Sequence, residues 1–266
     1  MPGNAPKFAH PCFQNAPARV ARMHLSVAPK CNIKCSFCNP AGGDTCVHGC
    51  MPGLTSGVLT PQQAVEHVRR VRQGGTPIRI VGIAGPGEPL FNEATFETIA
   101  GVRAAFDDIH ICLSTNGLVL SDALPELLDC GVSTLTVTVN TRSVVCAGHV
   151  YRTVGGSADA GAMAAFLSAQ QEGVAKAAEA GLTVKINTVV IPGVNTGEIE
   201  GIACWAARAG AAVMNLMPLI PQADFRGCEP PSRALLEALR ARARVHIPQF
   251  THCRQCRADA VGVPGE

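Results

Sequence analysis

The sequence predicts an α/β fold: a partial (β/α)6 TIM-like barrel, with cysteine-bearing N- and C-terminal extensions lying over the barrel mouth. Three observations predict it. Six short runs rich in Val, Ile, Leu and Thr alternate with longer stretches of helical character, the pattern of a parallel sheet wrapped in helices. The motifs that carry chemistry fall directly after those runs, where such a barrel keeps its working residues. No glycine fingerprint for a dinucleotide follows any run, which leaves the structural alternative, a doubly wound open sheet, without support.

At 266 residues the chain suffices for one large α/β domain and is short for two. A single domain is therefore expected over residues 1–266. Residues 1–22 form a Pro-, Asn- and Ala-rich N-terminal extension, residues 23–244 the barrel core, and residues 245–266 a tail with a Cys-x2-Cys pair. Strands are expected at Met23–Val27, Ile78–Ile83, His110–Leu113, Thr134–Val139, Thr183–Val190 and Ala212–Met217. Helices are expected at Pro61–Arg72 after Thr60 as N-cap, Asn92–Phe106, Ala123–Cys130, Gly161–Ala180, Thr196–Ala209 and Ser232–Arg244. Gly131 and Gly181 stand where a helix C-cap calls for glycine. The segment Cys31–Cys38 follows the first strand, Gly85–Pro89 the second and Ser114–Gly117 the third, and Asn140 closes the fourth.

A hydrophobic fraction of 47% and a charged fraction of 16% describe a globular interior. A net charge of +2 with 4% aromatic residues offers neither a phosphate-tracking surface nor a base-stacking platform, so nucleic acid is not an expected partner. No apolar run approaches the roughly 18 residues that cross a bilayer, and the opening Met-Pro-Gly-Asn-Ala-Pro lacks a basic segment followed by an apolar one. The expected compartment is the cytoplasm, with no membrane partner. Thiols stay reduced there, so 13 cysteines point to metal binding or catalysis rather than to disulfides.

Cys31, Cys35 and Cys38 place three thiols in one short loop, able to converge on three corners of a four-iron cube. The fourth iron then keeps an open site for the amino and carboxylate groups of S-adenosylmethionine (SAM). A zinc knuckle is the plain alternative, but zinc usually takes four ligands at paired spacings. At the two ends Cys12, Cys253 and Cys256 supply further soft ligands and would form a second three-thiolate site if both ends cover one barrel mouth; a zinc or a disulfide is the alternative. His24, Cys46 and Cys112 are a weaker third set, because their separation is wide and buried free cysteine is often inert.

Cys-x3-Cys-x2-Cys with aromatic Phe37 before the last cysteine resembles the signature of the radical SAM superfamily. The turn Gly85-Pro86-Gly87-Glu88-Pro89 resembles that superfamily's segment for the methionine amino group, with Gly85, Gly87 and Glu88 as its contacts and Gly allowing close backbone approach. Asn116, Asn140 and Asn187, at or near strand ends, are candidates for the ribose or methionine part, or plain loop caps. Longer ordered strings resemble the NifB family of nitrogenase cofactor biosynthesis proteins: His10-Pro11-Cys12, Arg22-Met23-His24-Leu25, Ala28–Ile33, Cys112–Gly117, Thr136–Asn140, Ile191–Asn195, Asn215–Pro221 and the closing His252–Gly262. That resemblance spans nearly the whole chain.

The resemblance implies that two 4Fe–4S clusters are fused around a carbide from the methyl group of SAM, with an added sulfide, to give the eight-iron precursor of the nitrogenase cofactor. His24, Cys46 and Cys112 would hold one substrate cluster, and Cys12, Cys253 and Cys256 the other. One SAM would methylate a cluster sulfide, and a second would yield the radical that abstracts hydrogen from that methyl. The implied partners are an iron–sulfur cluster donor, a low-potential electron donor such as ferredoxin, and downstream cofactor carrier or scaffold proteins. The stretch Asn39–Gly53 departs from the family: Gly49 stands where relatives carry a glutamate, and Cys50 or His48 is the candidate substitute. Cys130, Cys146, Cys204 and Cys228 read as structural. Two other functions are weighed, a radical SAM enzyme with auxiliary electron-relay clusters that modifies a peptide or small molecule, and a non-catalytic iron–sulfur carrier.

Overall fold

The computed structural model describes residues 10–14, 20–39 and 52–264. In chain order the elements are β1 (Ala21–His24), β2 (Ile33–Cys35), α1 (Pro61–Gln73), β3 (Ile78–Ile83), α2 (Glu93–Ala105), β4 (His110–Thr115), α3 (Leu120–Asp129), β5 (Thr134–Thr138), α4 (Val144–Val150), β6 (Tyr151–Val154), α5 (Ala160–Glu179), β7 (Thr183–Val190), α6 (Ile199–Arg208), β8 (Val213–Pro218), α7 (Arg233–Arg244) and β9 (Val261–Gly262). The main sheet runs β8-β7-β5-β4-β3-β1-β9. Its first six members pair in parallel, and β9 from the tail closes on β1 in antiparallel sense. All six expected strands and all six expected helices are present, and the sheet curls into a half-barrel.

Side chains alternate across this sheet, as the period of two requires. One set, including Met23, Leu25, Ile83, Ile111, Leu113, Leu135, Val137, Val184, Ile186, Met214 and Leu216, forms the main core with the helices. The alternate set is polar or small: Arg22, His24, Gly82, Cys112, Thr136, Lys185, Asn187 and Asn215. Register aligns His24 with Gly82 and Gly82 with Cys112, so these three form one row across β1, β3 and β4.

Several boundaries differ from expectation. β1 begins two residues before Met23, because Ala21 already pairs with Ile78 of β3, and it ends at His24 rather than Val27. α3 starts at Leu120 rather than Ala123 and accommodates Pro125. The stretch from Thr196 opens as a 3-10 turn before α6 begins at Ile199. α5 is capped by Asp159, whose carboxylate accepts from Ala162 N at 2.7 Å. Four elements were not expected at all: β2, α4, β6 and β9. Of these, β2 and β6 pair with each other as a small antiparallel sheet, with Cys35 opposite Tyr151. A second core of Ile33, Val150, Tyr151, Phe166 and Ile191 lies behind it.

Candidate active site

The loop with Cys31, Cys35 and Cys38 is held on several sides. β2 pins its middle to β6. Ser36 N donates to Val150 O (2.9 Å), Asp224 N to Ser36 O (3.0 Å) and Gln222 Nε2 to Phe37 O (2.9 Å). Phe37 itself packs against the second core. All three thiols are free, with Cys31 and Cys38 at the exposed edge and Cys35 half-buried. The Cys35 thiol is pushed well above its ordinary pKa, first by burial and then by the neighbouring Cys38 and Cys31 sulfurs. Among the described residues no three His, Cys, Asp or Glu side chains converge tightly enough for one metal ion. Thiols that sense one another's charge without pinching together suit the corners of a larger body, such as a four-iron cube.

The glycine turn is stitched to the segment leading into this loop. Gly87 N donates to Ala28 O (2.6 Å) and Glu88 N to Lys30 O (2.8 Å). A Cβ at Gly87 would lie 2.2 Å from Lys30 O, so only glycine permits this approach. Gly85 adopts φ +127, which L side chains avoid. The Glu88 carboxylate is buried and turned inward. It accepts from Thr115 Oγ1 (2.5 Å), Asn116 N (2.7 Å) and Leu90 N (3.1 Å). Burial raises its pKa to about 7 despite those three donors. The side chain thus ties the ends of β3 and β4 together, and the backbone of the turn is what remains to face a cosubstrate.

The strand-end asparagines are also largely engaged. Asn116 Nδ2 donates to Asn32 Oδ1 (2.7 Å), and its Oδ1 accepts from Leu118 N (2.9 Å). Asn140 is fully buried, accepting from Val189 N (2.9 Å) and donating to Tyr151 Oη (3.3 Å). Asn187 Oδ1 accepts from Asn215 Nδ2 (3.1 Å). Beside Cys31, Asn32 Nδ2 is buried without a hydrogen-bond partner among the described residues.

The remaining ligand candidates gather on the polar face of the sheet. A Cβ on Gly82 would meet Cys112 Sγ and His24 Cδ2, each at 3.0 Å, so the missing side chain is what lets those two approach. His24 Nδ1 is bonded to Arg257 O (2.9 Å) and so carries the proton, leaving the Nε2 lone pair to accept from Arg22 Nη1 (2.7 Å). Burial, with Arg22 beside it, lowers the His24 pKa to about 4, which keeps the ring neutral at pH 7. Burial raises the Cys112 thiol to about 12, with Cys12 the next contribution. Cys12 and Cys253 pack on one small cluster of Phe13, Val213 and Phe250. Arg22 Nη2 donates to Cys256 Sγ at 2.7 Å. Residues 10–14 and the tail around Cys253 and Cys256 therefore lie on the same side of the sheet, and Cys12, Cys112 and Cys256 all lie near Arg22. Cys46, and with it His48, Gly49 and Cys50, lies outside the described residues.

Sequence reasoning missed four contributors: Gly82, Arg22, Lys185 and Tyr151. A signal for two of them was available, since Arg22 and Lys185 are basic residues within strands, on the same alternation as His24 and Asn187.

A model of the radical SAM superfamily matches residues 25–206. Over 266 residues the chain is 37% identical to the FeMo cofactor biosynthesis protein NifB of Methanocaldococcus infernus, covering 96% of this chain and 85% of that protein. The chain belongs to the NifB family of radical SAM enzymes. It is also 43% identical over 270 residues to the NifB of Klebsiella pneumoniae, covering 97% of this chain but only 57% of that longer protein. Among solved structures, a radical SAM methyltransferase from Sphaerobacter thermophilus superposes with a TM-score of 0.56 at 23% identity, over 87% of this chain and 64% of that one, which shows the shared fold. Membership of the superfamily implies a 4Fe–4S cluster and SAM. The free, mutually close thiols of Cys31, Cys35 and Cys38 and the glycine turn beside them fit that pair. Among the described residues no helix is long and apolar enough to cross a membrane.

Proposed function

We propose that this NifB-family chain makes the eight-iron precursor of the nitrogenase cofactor, by fusing two 4Fe–4S substrate clusters around a SAM-derived carbide with addition of a sulfide. One observation supports the proposal: Arg22 links His24, which lies beside Cys112, to Cys256, while Cys12 and Cys253 pack on one cluster nearby, so the residues proposed as ligands for the two clusters are neighbours. Fusion needs its two substrates held next to each other. Cys46 completes the first set in this proposal.

When bound, the cluster at Cys31, Cys35 and Cys38 supplies the electron that splits the SAM sulfonium, and SAM supplies both the carbon and the hydrogen-abstracting radical. The chain's own part is to bind and orient. Cys31, Cys35 and Cys38 use three thiolates and leave the fourth corner open. The backbone at Gly85–Glu88, fixed by the Ala28 and Lys30 carbonyls, offers the edge for the methionine amino group. Asn32 Nδ2, adjacent to Cys31 in the sequence, is a spare donor. His24, kept neutral with its proton on Nδ1, presents Nε2 as a ligand. The exposed edge at Cys31 and Cys38 is where a low-potential donor such as ferredoxin would deliver electrons, while a cluster donor and a downstream carrier serve the substrate sites.

The test is anaerobic reconstitution followed by SAM carrying a labelled methyl carbon. Label is expected in an extractable iron–sulfur product, and Cys35→Ala abolishes it. Formation of 5′-deoxyadenosine with no label in that product contradicts the proposal and favours the relay alternative.

A further inference from the structure

We infer that Arg22 is the positioning residue shared by the two substrate-cluster sites, a buried cation that serves as counter-charge to both; the inference rests on the proposed three-cluster function and deepens it. Arg22 is 4% exposed, on β1. One arm of its guanidinium, Nη1, lies 2.7 Å from His24 Nε2, and the other, Nη2, lies 2.7 Å from Cys256 Sγ. With the His24 proton on Nδ1, Nη1 is the donor. The two arms therefore grip one atom from each ligand set, and both are atoms that would bind iron. The third donor, Nε, is buried with no hydrogen-bond partner among the described residues.

Arginine stays charged in proteins, and a buried charge normally has an anion against it. Among the described residues no carboxylate is bonded to Arg22; its neighbours are an imidazole and thiols. Lys185 adds a second buried cation on β7. It is 5% exposed, donates to Cys12 O at 2.9 Å and lies over the rings of Phe13 (4.8 Å) and Phe250 (5.4 Å). Two buried cations around five iron-binding candidates describe a pocket whose negative charge arrives with the ligand. Thiolate-bound cubanes are net negative and carry sulfide acceptors, which match a forked donor better than they match a point charge. Iron at His24 Nε2 frees Nη1 for those sulfides, and Arg22 then stands as one positive charge between two negative clusters that must approach each other.

Two substitutions test this in reconstituted full-length protein, with iron content and potentiometric titration of each cluster as readouts. Arg22→Gln removes the charge, and Arg22→Lys keeps it without the fork. A lost cation destabilises the reduced, more negative cluster. Arg22→Gln is therefore expected to weaken the one-electron reduction of both outer clusters by about tenfold or more, a shift of about 59 mV to lower potential. The SAM cluster at Cys31, Cys35 and Cys38 stays at its wild-type potential. Arg22→Lys is expected to remain closer to wild type than Arg22→Gln. Unchanged outer potentials in Arg22→Gln, or a shift in only one of them, overturn the shared role. Where Arg22→Gln loads no outer cluster, restored loading in Arg22→Lys supports the charge role and failed loading there overturns it. A wild-type chain that takes up only one cube defeats the three-cluster function itself, and this inference falls with it.

Discussion

Replacing Gly87 by alanine is expected to separate the glycine turn from the cluster loop. The added Cβ would sit 2.2 Å from Lys30 O, 2.6 Å from Lys30 C and 2.9 Å from Ala28 O. All three are backbone atoms, so no rotamer change can relieve the contact and one segment must move. Movement breaks the bonds from Gly87 N to Ala28 O and from Glu88 N to Lys30 O. Each of the two backbone bonds is worth about 0.5–1.5 kcal/mol net, and overpacking a fitted site costs about 1–3 kcal/mol, so the combined loss is roughly 2–6 kcal/mol. Urea unfolding of cluster-free, reduced protein followed by circular dichroism measures it. Gly148→Ala is the control: nothing lies within 4 Å of its Cβ, in the middle of α4, so about 0.5–1 kcal/mol of stabilisation is expected from helix propensity alone. The reasoning is refuted if Gly87→Ala stays within about 0.5 kcal/mol of wild type and keeps its iron at Cys31, Cys35 and Cys38.

Gly82→Ala places a methyl 3.0 Å from both Cys112 Sγ and His24 Cδ2; reconstituted protein is expected to lose iron from that outer site while retaining the SAM cluster, and full iron content would contradict the row assigned to His24, Gly82 and Cys112. Glu88 sets a pH dependence of known sign. Its pKa rises from 4.5 to about 7 on folding, so the native state holds the extra proton and the contribution of Glu88 to stability is greatest below about pH 4.5. It declines through the window up to about pH 7, by roughly 3 kcal/mol at about 1.4 kcal/mol per unit. Urea unfolding of wild type against Glu88→Gln at several pH values is expected to show that decline in the difference between them, and a flat difference would contradict a burial cost that outweighs the three donors.

The six parallel strands were legible because each is a short, largely apolar run and most are followed by a longer helical stretch. β2 and β6 were not: three residues such as Ile33–Cys35 carry no periodic signal, and their partner is Tyr151–Val154, far along the chain. β9 escaped for the same reason. The cysteine spacing exposed the SAM-cluster loop, since its three thiols are local. The proximity of the outer ligands was not readable from the bare residues, because it depends on a tail that returns to β1, where Cys256 meets Arg22 across 234 positions. The strand-end asparagines drew attention for their position, yet Asn140 commits both ends of its amide to Val189 and Tyr151. Short polar side chains at strand ends commonly serve the turn itself.

Iron and sulfide counted per chain after anaerobic reconstitution bear on everything above. Three cubes require about twelve irons and about twelve acid-labile sulfides, and Cys112→Ala and Cys256→Ala are each expected to lower that count by about four. A wild-type count of about four, unaffected by either substitution, would mean that only Cys31, Cys35 and Cys38 carry a cluster and would contradict fusion of two substrate clusters on this chain.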